Sequence, residues 1–296
     1  MKSSMTDLNR LLARQDFKNQ KELEDFLNNL MGKSLDDLPQ MDLTPEEQAE
    51  DLVFEASKLP MTKAKKKIEE ALKLDPNCID AYEFLAAKEK KLEKSLLFLE
   101  EGIAIGRKKF GGKFLKENKG EFWGWHETRS YLRCLYQKAE ILVMQEQLTE
   151  GVAIMEELYE LNDGDNQGVR FPLLSALILL GETEKFKRYD KLFTSDKHSA
   201  QMLYPRALFA FITEGDTPNS QKLLIKAFEK NPFVVQMLLD EDFQFKGVTQ
   251  YATGSPEEAE IYLMHGFFPW HKTEGAIEWL ANTTENYCKK KLKNHK

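Results

Sequence analysis

From residue 44 onward, apolar residues recur at helical spacing in short blocks, and each block is closed by Gly, Pro, Asn or Asp. LTPEEQAEDLVFEASKLP opens the series: Thr44 can cap a helix, Pro45 suits its first turn, and Glu46 and Glu47 favour the positive end of its dipole. Pro60 limits that helix. The next block, KAKKKIEEALKLDPN, aligns Ile68, Leu72 and Leu74 with Ala64 and Ala71 along one side and stops at Asp75-Pro76-Asn77. Together they predict one helical hairpin. CIDAYEFLAAKEK with KLEKSLLFLEEGIAIGRKKFGG repeats the plan with a longer second helix. Three cleaner pairs follow: TRSYLRCLYQKAEILVMQEQ with LTEGVAIMEELYELNDG, GVRFPLLSALILLGE with TEKFKRYDKLF, and AQMLYPRALFAFITEGD with TPNSQKLLIKAFEKNP.

Ala139, Ala176 and Ala207 are small residues suited to the close approach of paired helices, and they stand 37 and 31 residues apart. Their mean spacing is the period of about 34 residues that marks tetratricopeptide units. The helix ends ALKLDPN and AFEKNPF echo one another. The expected fold is therefore all-α, a tetratricopeptide-type array of helical hairpins (an α-solenoid) with capping helices at both ends. Residues 1–43 read as the N-terminal cap and linker: Leu23, Phe26, Leu27 and Leu30 suit a helix packed on the first hairpin, and SLDDLPQMDL follows it. Residues 44–239 hold the repeats. Residues 240–296 hold a loop, whose Phe243, Phe245 and Tyr251 are expected to dock on the repeats, and two closing helices capped at Ser255 and Thr273.

One interval is too long, the 53 residues from Ala86 to Ala139. It holds EFWGWHETRSYLR (121–133), at the end of an inserted junction at 111–127. Phe122, Trp123 and Trp125 offer the apolar area to pin that insertion, and Thr128 or Glu127 is placed to open the next helix.

Composition agrees with a helical array: 31% charged and 42% hydrophobic residues, 16 Gly and 10 Pro in 296 residues. A net charge of −7, with acidic residues spread over many faces, argues against nucleic acid as a partner. The basic tail KKKLKNHK and the block AKKKIEE are the exceptions, and Glu69 and Glu70 balance the latter. Cys78, Cys134 and Cys288 are too few and too scattered for a disulfide framework, so a reducing, cytoplasmic setting is expected. The N-terminus lacks the apolar core of a signal peptide. FPLLSALILLG, the most apolar stretch, is too short for the ~20 residues of a membrane span, so no membrane association is expected.

Enzyme signatures are missing. No GxSxG elbow accompanies the serines, and Cys134 lies on the apolar side of a helix, where a small core residue is the better reading. There is no HExxH or CxxC, and NDGDN (162–166) lacks the glutamate that closes a calcium loop, so it reads as a helix stop and turn. FGGKF has neither Walker spacing nor a preceding strand. His265 and His271 flank GFFPW, which reads as a loop with aromatic packing rather than a metal site, and Trp270 and Trp279 as packing for the closing helices. No metal and no cofactor is expected.

Recognition by a concave surface remains. In stacked hairpins the first helices line the inner groove, where Arg129, Arg133, Tyr136, Arg170, Tyr204 and Arg206 stand at inward spacing. Arg and Tyr are the types that anchor interfaces. Two alternatives stay open within that set: Tyr136 and Tyr204 as helix packing, and Arg170 as the partner of the preceding acidic turn. The expected function is a non-enzymatic scaffold that binds a protein or peptide of unknown identity in the groove. The competing readings are an enzyme or enzyme regulator with a site around Trp123, His126, Glu127 and Arg129, and a structural assembly subunit.

The ordered segments DPNCIDAYEFLA, FWGWHETRSYLR, LNDGDNQGVRFPLL, YPRALFAFITEGD, AFEKNPFVVQMLL and GSPEEAEIYL through GAIEWL resemble a group of poorly characterised bacterial tetratricopeptide repeat proteins. The C-terminal part is also similar to the suppression of tumorigenicity seven proteins. The resemblance runs from about residue 45 to 281, with FWG, ETR and DNQGVR its most specific segments. The chain departs from the pattern at Ser130 and at Val234-Val235. The resemblance implies an all-helical repeat scaffold and brings no activity with it.

Overall fold

The computed structural model describes residues 4–31, 42–193 and 197–294. Most of the linker SLDDLPQMDL and the last two residues of the basic tail lie outside them. The described residues form sixteen α-helices and no strand, and the helices pack mainly against their neighbours in sequence. By contacts the chain divides into two compact units, Met1–Lys90 and Lys91–Lys296.

The first unit contains α1 (Ser4–Ala13), α2 (Gln20–Leu30), α3 (Pro45–Ser57), α4 (Met61–Leu74) and α5 (Ile79–Lys88). The expected cap of α3 forms in full: Glu47 N–H donates to Thr44 Oγ1 at 3.2 Å, and Thr44 N–H donates to Glu47 Oε2 at 2.8 Å. Ala49, Val53 and Ala56 of α3 meet Ala64, Ile68 and Ala71 of α4, small residues letting the two axes approach. The N-terminal cap differs from expectation. α2 carries the Leu23–Leu30 stripe but buries no residue, and α1 docks in its place. Buried Arg10 of α1 reaches α3, donating to Asp51 Oδ1 at 2.8 Å, Glu50 Oε2 at 3.0 Å and the Glu47 carbonyl at 3.0 Å. Three fixed acceptors outweigh the weak pull of a narrow apolar stripe.

The second unit runs through α6 (Leu92–Lys109), α7 (Gly112–Asn118), two short 3₁₀ turns at Phe122–Gly124 and His126–Thr128, α8 (Arg129–Met144), α9 (Leu148–Leu161), α10 (Arg170–Leu180), α11 (Thr183–Leu192), α12 (Ala200–Glu214) and α13 (Pro218–Lys230). It closes with α14 (Phe233–Leu238), α15 (Pro256–Lys272) and α16 (Ala276–Asn294). α8 packs on α9, α9 on α10, α10 on α11 and α12, and α12 on α13. Ala139, Ala176 and Ala207, on α8, α10 and α12, are all buried. Gly151 shows how close they are: a Cβ there would stand 3.2 Å from the Ala139 carbonyl. Between α6 and α8, a Cβ on Gly106 would meet the Tyr131 ring at 2.2 Å.

α15 breaks the neighbour-to-neighbour rule. It lies against α10 and α12 as well as α14 and α16. Ser255 caps it as expected, accepting from Glu258 N–H at 3.3 Å. Thr273 does not open the next helix; it ends α15, its hydroxyl donating to the Pro269 carbonyl at 2.7 Å. The GFFPW stretch is likewise helix rather than loop. Pro269 sits in the last turn, where only one backbone bond is lost, and its ring is buried.

Two buried carboxylates seat this helix. Glu258 accepts from the backbone N–H of Ala200 at 3.1 Å, that of Gly254 at 2.6 Å and the Asn231 amide at 2.9 Å, tying the starts of α12 and α15 to the end of α13. Glu260 Oε1 accepts from Lys246, Gly247 and Val248 N–H at 2.6, 2.8 and 3.4 Å. The 240–254 loop is thereby held to the helices, with Phe243 stacked on Phe267 and Tyr251 donating to Gln201. Beneath α15, Trp270 and Trp279 stack at 6.3 Å, and Trp270 Nε1 donates to the Tyr262 hydroxyl at 2.8 Å.

Candidate functional site

Because α15 lies against α10 and α12, part of the surface of those helices is already covered by the chain itself. Tyr204 is the clearest consequence. It is fully buried, stacks on Tyr262 of α15 and donates its hydroxyl to the Asn231 carbonyl at 2.7 Å, so it is core and not groove surface. Arg206 points to α11, donating to Asp190 Oδ1 at 2.5 Å and to the Lys197 carbonyl at 3.2 Å. Arg170 pairs with Asp165 Oδ2 at 2.6 Å and covers the Phe171 ring, which makes it the partner of the acidic turn. Arg129 donates to the Trp123 carbonyl at 2.9 Å and stacks over that ring. Arg133 is half-buried on α8. Tyr204, Arg206, Arg170 and Arg129 therefore serve separate contacts, and Tyr136 hydrogen-bonds to Glu140, which lines a cavity.

The FWGWHETR junction is a packed turn. Phe122 is buried among Phe110, Phe114 and, beyond Phe110, Tyr131, with ring centroids 5.4 to 6.5 Å apart. Thr128 opens α8 from its N-cap position, as expected, but makes no side-chain cap; its hydroxyl donates instead to the Phe122 and Trp125 carbonyls. Asp163 N–H donates to the Gly120 carbonyl at 3.0 Å, and Glu121 and Asn162 form an isolated bridge, so the FWG and NDGDN segments meet. They enclose a shallow open hollow that Trp123 and Trp125 line, whereas His126, Glu127 and Arg129 do not. His126 and Glu127 are exposed. Trp123, His126, Glu127 and Arg129 thus do not converge on one pocket.

A second cavity, of about 240 Å³, lies between α8, α10 and α15. Its walls are apolar: Val143, Met155, Pro172, Ala176 and Leu179. Around its mouth, Met144 is 71%, Met264 58% and Phe268 63% exposed, three large apolar side chains left in water beside an apolar hole. The turn from α8 to α9 brings Glu146 to the rim, where it pairs with Lys272 of α15. Glu146 has φ 61°, a left-handed conformation in which Gly is the usual occupant. A glutamate held there at a cost of about 1–2 kcal/mol places a carboxylate that glycine would not supply.

Polar groups meet at one side of the cavity. The Tyr136 hydroxyl donates to Glu140, one turn further along α8. Glu140 Oε1 stands 4.0 Å from His265 Nε2 on α15. Burial pushes the Glu140 carboxyl up to about 7, against the Tyr136 hydrogen bond. Among the described residues no lysine or arginine offsets that burial. Burial also pushes His265 down to about 4, so its imidazole is neutral at pH 7. Glu140 lines the cavity, with 34% of its side chain accessible. His271 is on the same helix, but six positions of helical rotation turn it away from His265, and it packs on Phe267.

Sequence patterns did not single out Glu140, Met144, Met264 or Phe268. The available signal was the Tyr136–Glu140 spacing of four on an inward stripe; the partners come from a helix more than a hundred residues away. Compared with known proteins, the chain matches no family model and no curated protein.

Proposed function

We propose that the chain is a non-enzymatic, tetratricopeptide-type scaffold that holds a peptide segment of a partner protein at the cavity between α8, α10 and α15. The observation that carries this reading is the ring of Met144, Met264 and Phe268, exposed around a cavity with apolar walls. Flexible methionines beside a pre-formed hole suit an inserted apolar anchor, and burying that ring on binding contributes free energy that it lacks in water. The succession of packed hairpins and the resemblance to bacterial tetratricopeptide repeat proteins support the repeat class. Three scattered cysteines support a cytoplasmic setting. Among the described residues no helix is long and apolar enough to cross a membrane.

Selection of a displayed random-peptide library on the chain tests the reading. Selected peptides are expected to lose binding to Phe268→Glu while its helical signal and melting temperature stay unchanged. Peptides that bind both forms equally would overturn the assignment. The poised Glu140 carboxyl also suits acid–base chemistry, and recovery of bound peptide intact after prolonged incubation separates binding from turnover.

A further inference from the structure

The geometry points to a lysine side chain as the group this cavity takes: an aliphatic stem against the apolar walls, with its ammonium at Glu140. This rests on the peptide-binding reading above and names the chemistry of the anchor. The volume decides first. About 240 Å³ falls below the roughly 300–1,000 Å³ of sites for drug-sized ligands, so the space suits one side chain. The walls decide second. Val143, Met155, Pro172 and Leu179 would cover four methylenes, a length over which a lysine stem is as apolar as a leucine.

The polar end decides third. A wholly apolar anchor would leave Glu140 and His265 facing hydrocarbon, each losing water without compensation. An ammonium supplies up to three donors. Glu140 accepts one, and a further acceptor is near. Neutral His265 can accept at Nε2. The site therefore offers acceptors, and among the described residues the one cation in its lining, Lys272, is engaged at the rim by Glu146.

A guanidinium fits less well. It needs two carboxylate oxygens in one plane, and here Tyr136 donates to the carboxylate while His265 flanks Oε1. The net charge of −7 favours approach of a basic segment. Glu140 is faced by Tyr136 on its own helix and by His265 on α15, while Lys272 and Glu146 line the same cavity as a pair at its rim. Entry of an ammonium drives Glu140 to its charged form, so binding releases a proton below pH 7 and none at pH 9.

Pentylamine, 1-pentanol and pentylguanidinium serve as probes of the full chain, followed through the ¹³C-labelled methyls of Met144, Met155 and Met264. The amine is expected to bind roughly tenfold tighter than the alcohol at pH 8, the worth of a charge-assisted hydrogen bond. Glu140→Gln, which keeps shape, is expected to abolish that preference and leave the alcohol unchanged. Equal affinity of amine and alcohol, a preference that survives Glu140→Gln, or tighter binding of the guanidinium overturns the inference. The two readings fail separately. Display-selected peptides that lose binding to Phe268→Glu but carry no lysine sink the ammonium assignment alone. Amine binding with no Phe268-dependent peptide sinks the peptide reading alone.

Discussion

The junction at residues 120–131 and the cavity beside α15 are built from the same ingredients, aromatic rings with a histidine and a glutamate, and end in opposite conditions. At the junction His126 and Glu127 are neighbours in sequence, yet both stand in water while the rings pack beneath them. At the cavity Glu140 and His265 come from separate helices and meet at 4.0 Å, while Met144, Met264 and Phe268 are left exposed. Dense chemistry along the chain here marks a turn that needs pinning. Chemistry that converges has to be assembled by packing between helices.

The largest expected effect tests the first half of that comparison. Phe122→Ala removes a fully buried ring from the Phe110–Phe114 cluster and should cost about 3–5 kcal/mol in denaturant unfolding. A loss under about 1 kcal/mol, within the range of surface changes, would show that the junction is not a packed element.

Next comes the titration of the cavity pair. Unfolded Glu140 ionises near 4.5 and the folded group near 7, so its contribution to stability is complete below pH 4.5 and lost as pH rises through 7. For His265 the folded value is near 4 and the unfolded value 6.5, so its contribution is present above 6.5 and lost as pH falls through 4. The two trends oppose one another over the interval between. Glu140→Gln removes the first alone. Its melting temperature should match the wild type near pH 4, exceed it increasingly up to pH 7, and keep a constant lead beyond. A lead that does not change with pH would remove the carboxyl from the buried side of the comparison.

The smallest expected effect is at the rim. Phe268→Asn should change stability by no more than about 0.5 kcal/mol, since that ring is largely in water. A loss of several kcal/mol in the same unfolding measurement would make Phe268 a packing residue and erase the contrast with Phe122.

Much of the fold was legible in the sequence because it is local. Thr44 and Ser255 cap their helices as their side chains predict, and the alanines at 139, 176 and 207 are buried. What failed was settled by distant contacts. Thr273 reads as a start because a threonine and a glutamate follow a proline, yet α15 runs through that proline and uses Thr273 to finish. Tyr204 reads as groove surface because nothing in its own stretch shows that Tyr262 will stack on it. Glu140 was invisible for the same reason, since its environment is supplied by His265 and by walls from three helices.

A stack of hairpins in contact only with its neighbours can lose its last member without disturbing the first, and such arrays unravel from their ends. Here α15 returns across α10 and α12, and Lys272 ties it to Glu146 at the end of α8. Pulling one of those helices free therefore exposes surface on the others. The chain from α8 to α16 should melt in a single transition, with slow amide exchange reaching as far as Lys246, Gly247 and Val248, whose protons are held by Glu260 in a stretch without regular structure.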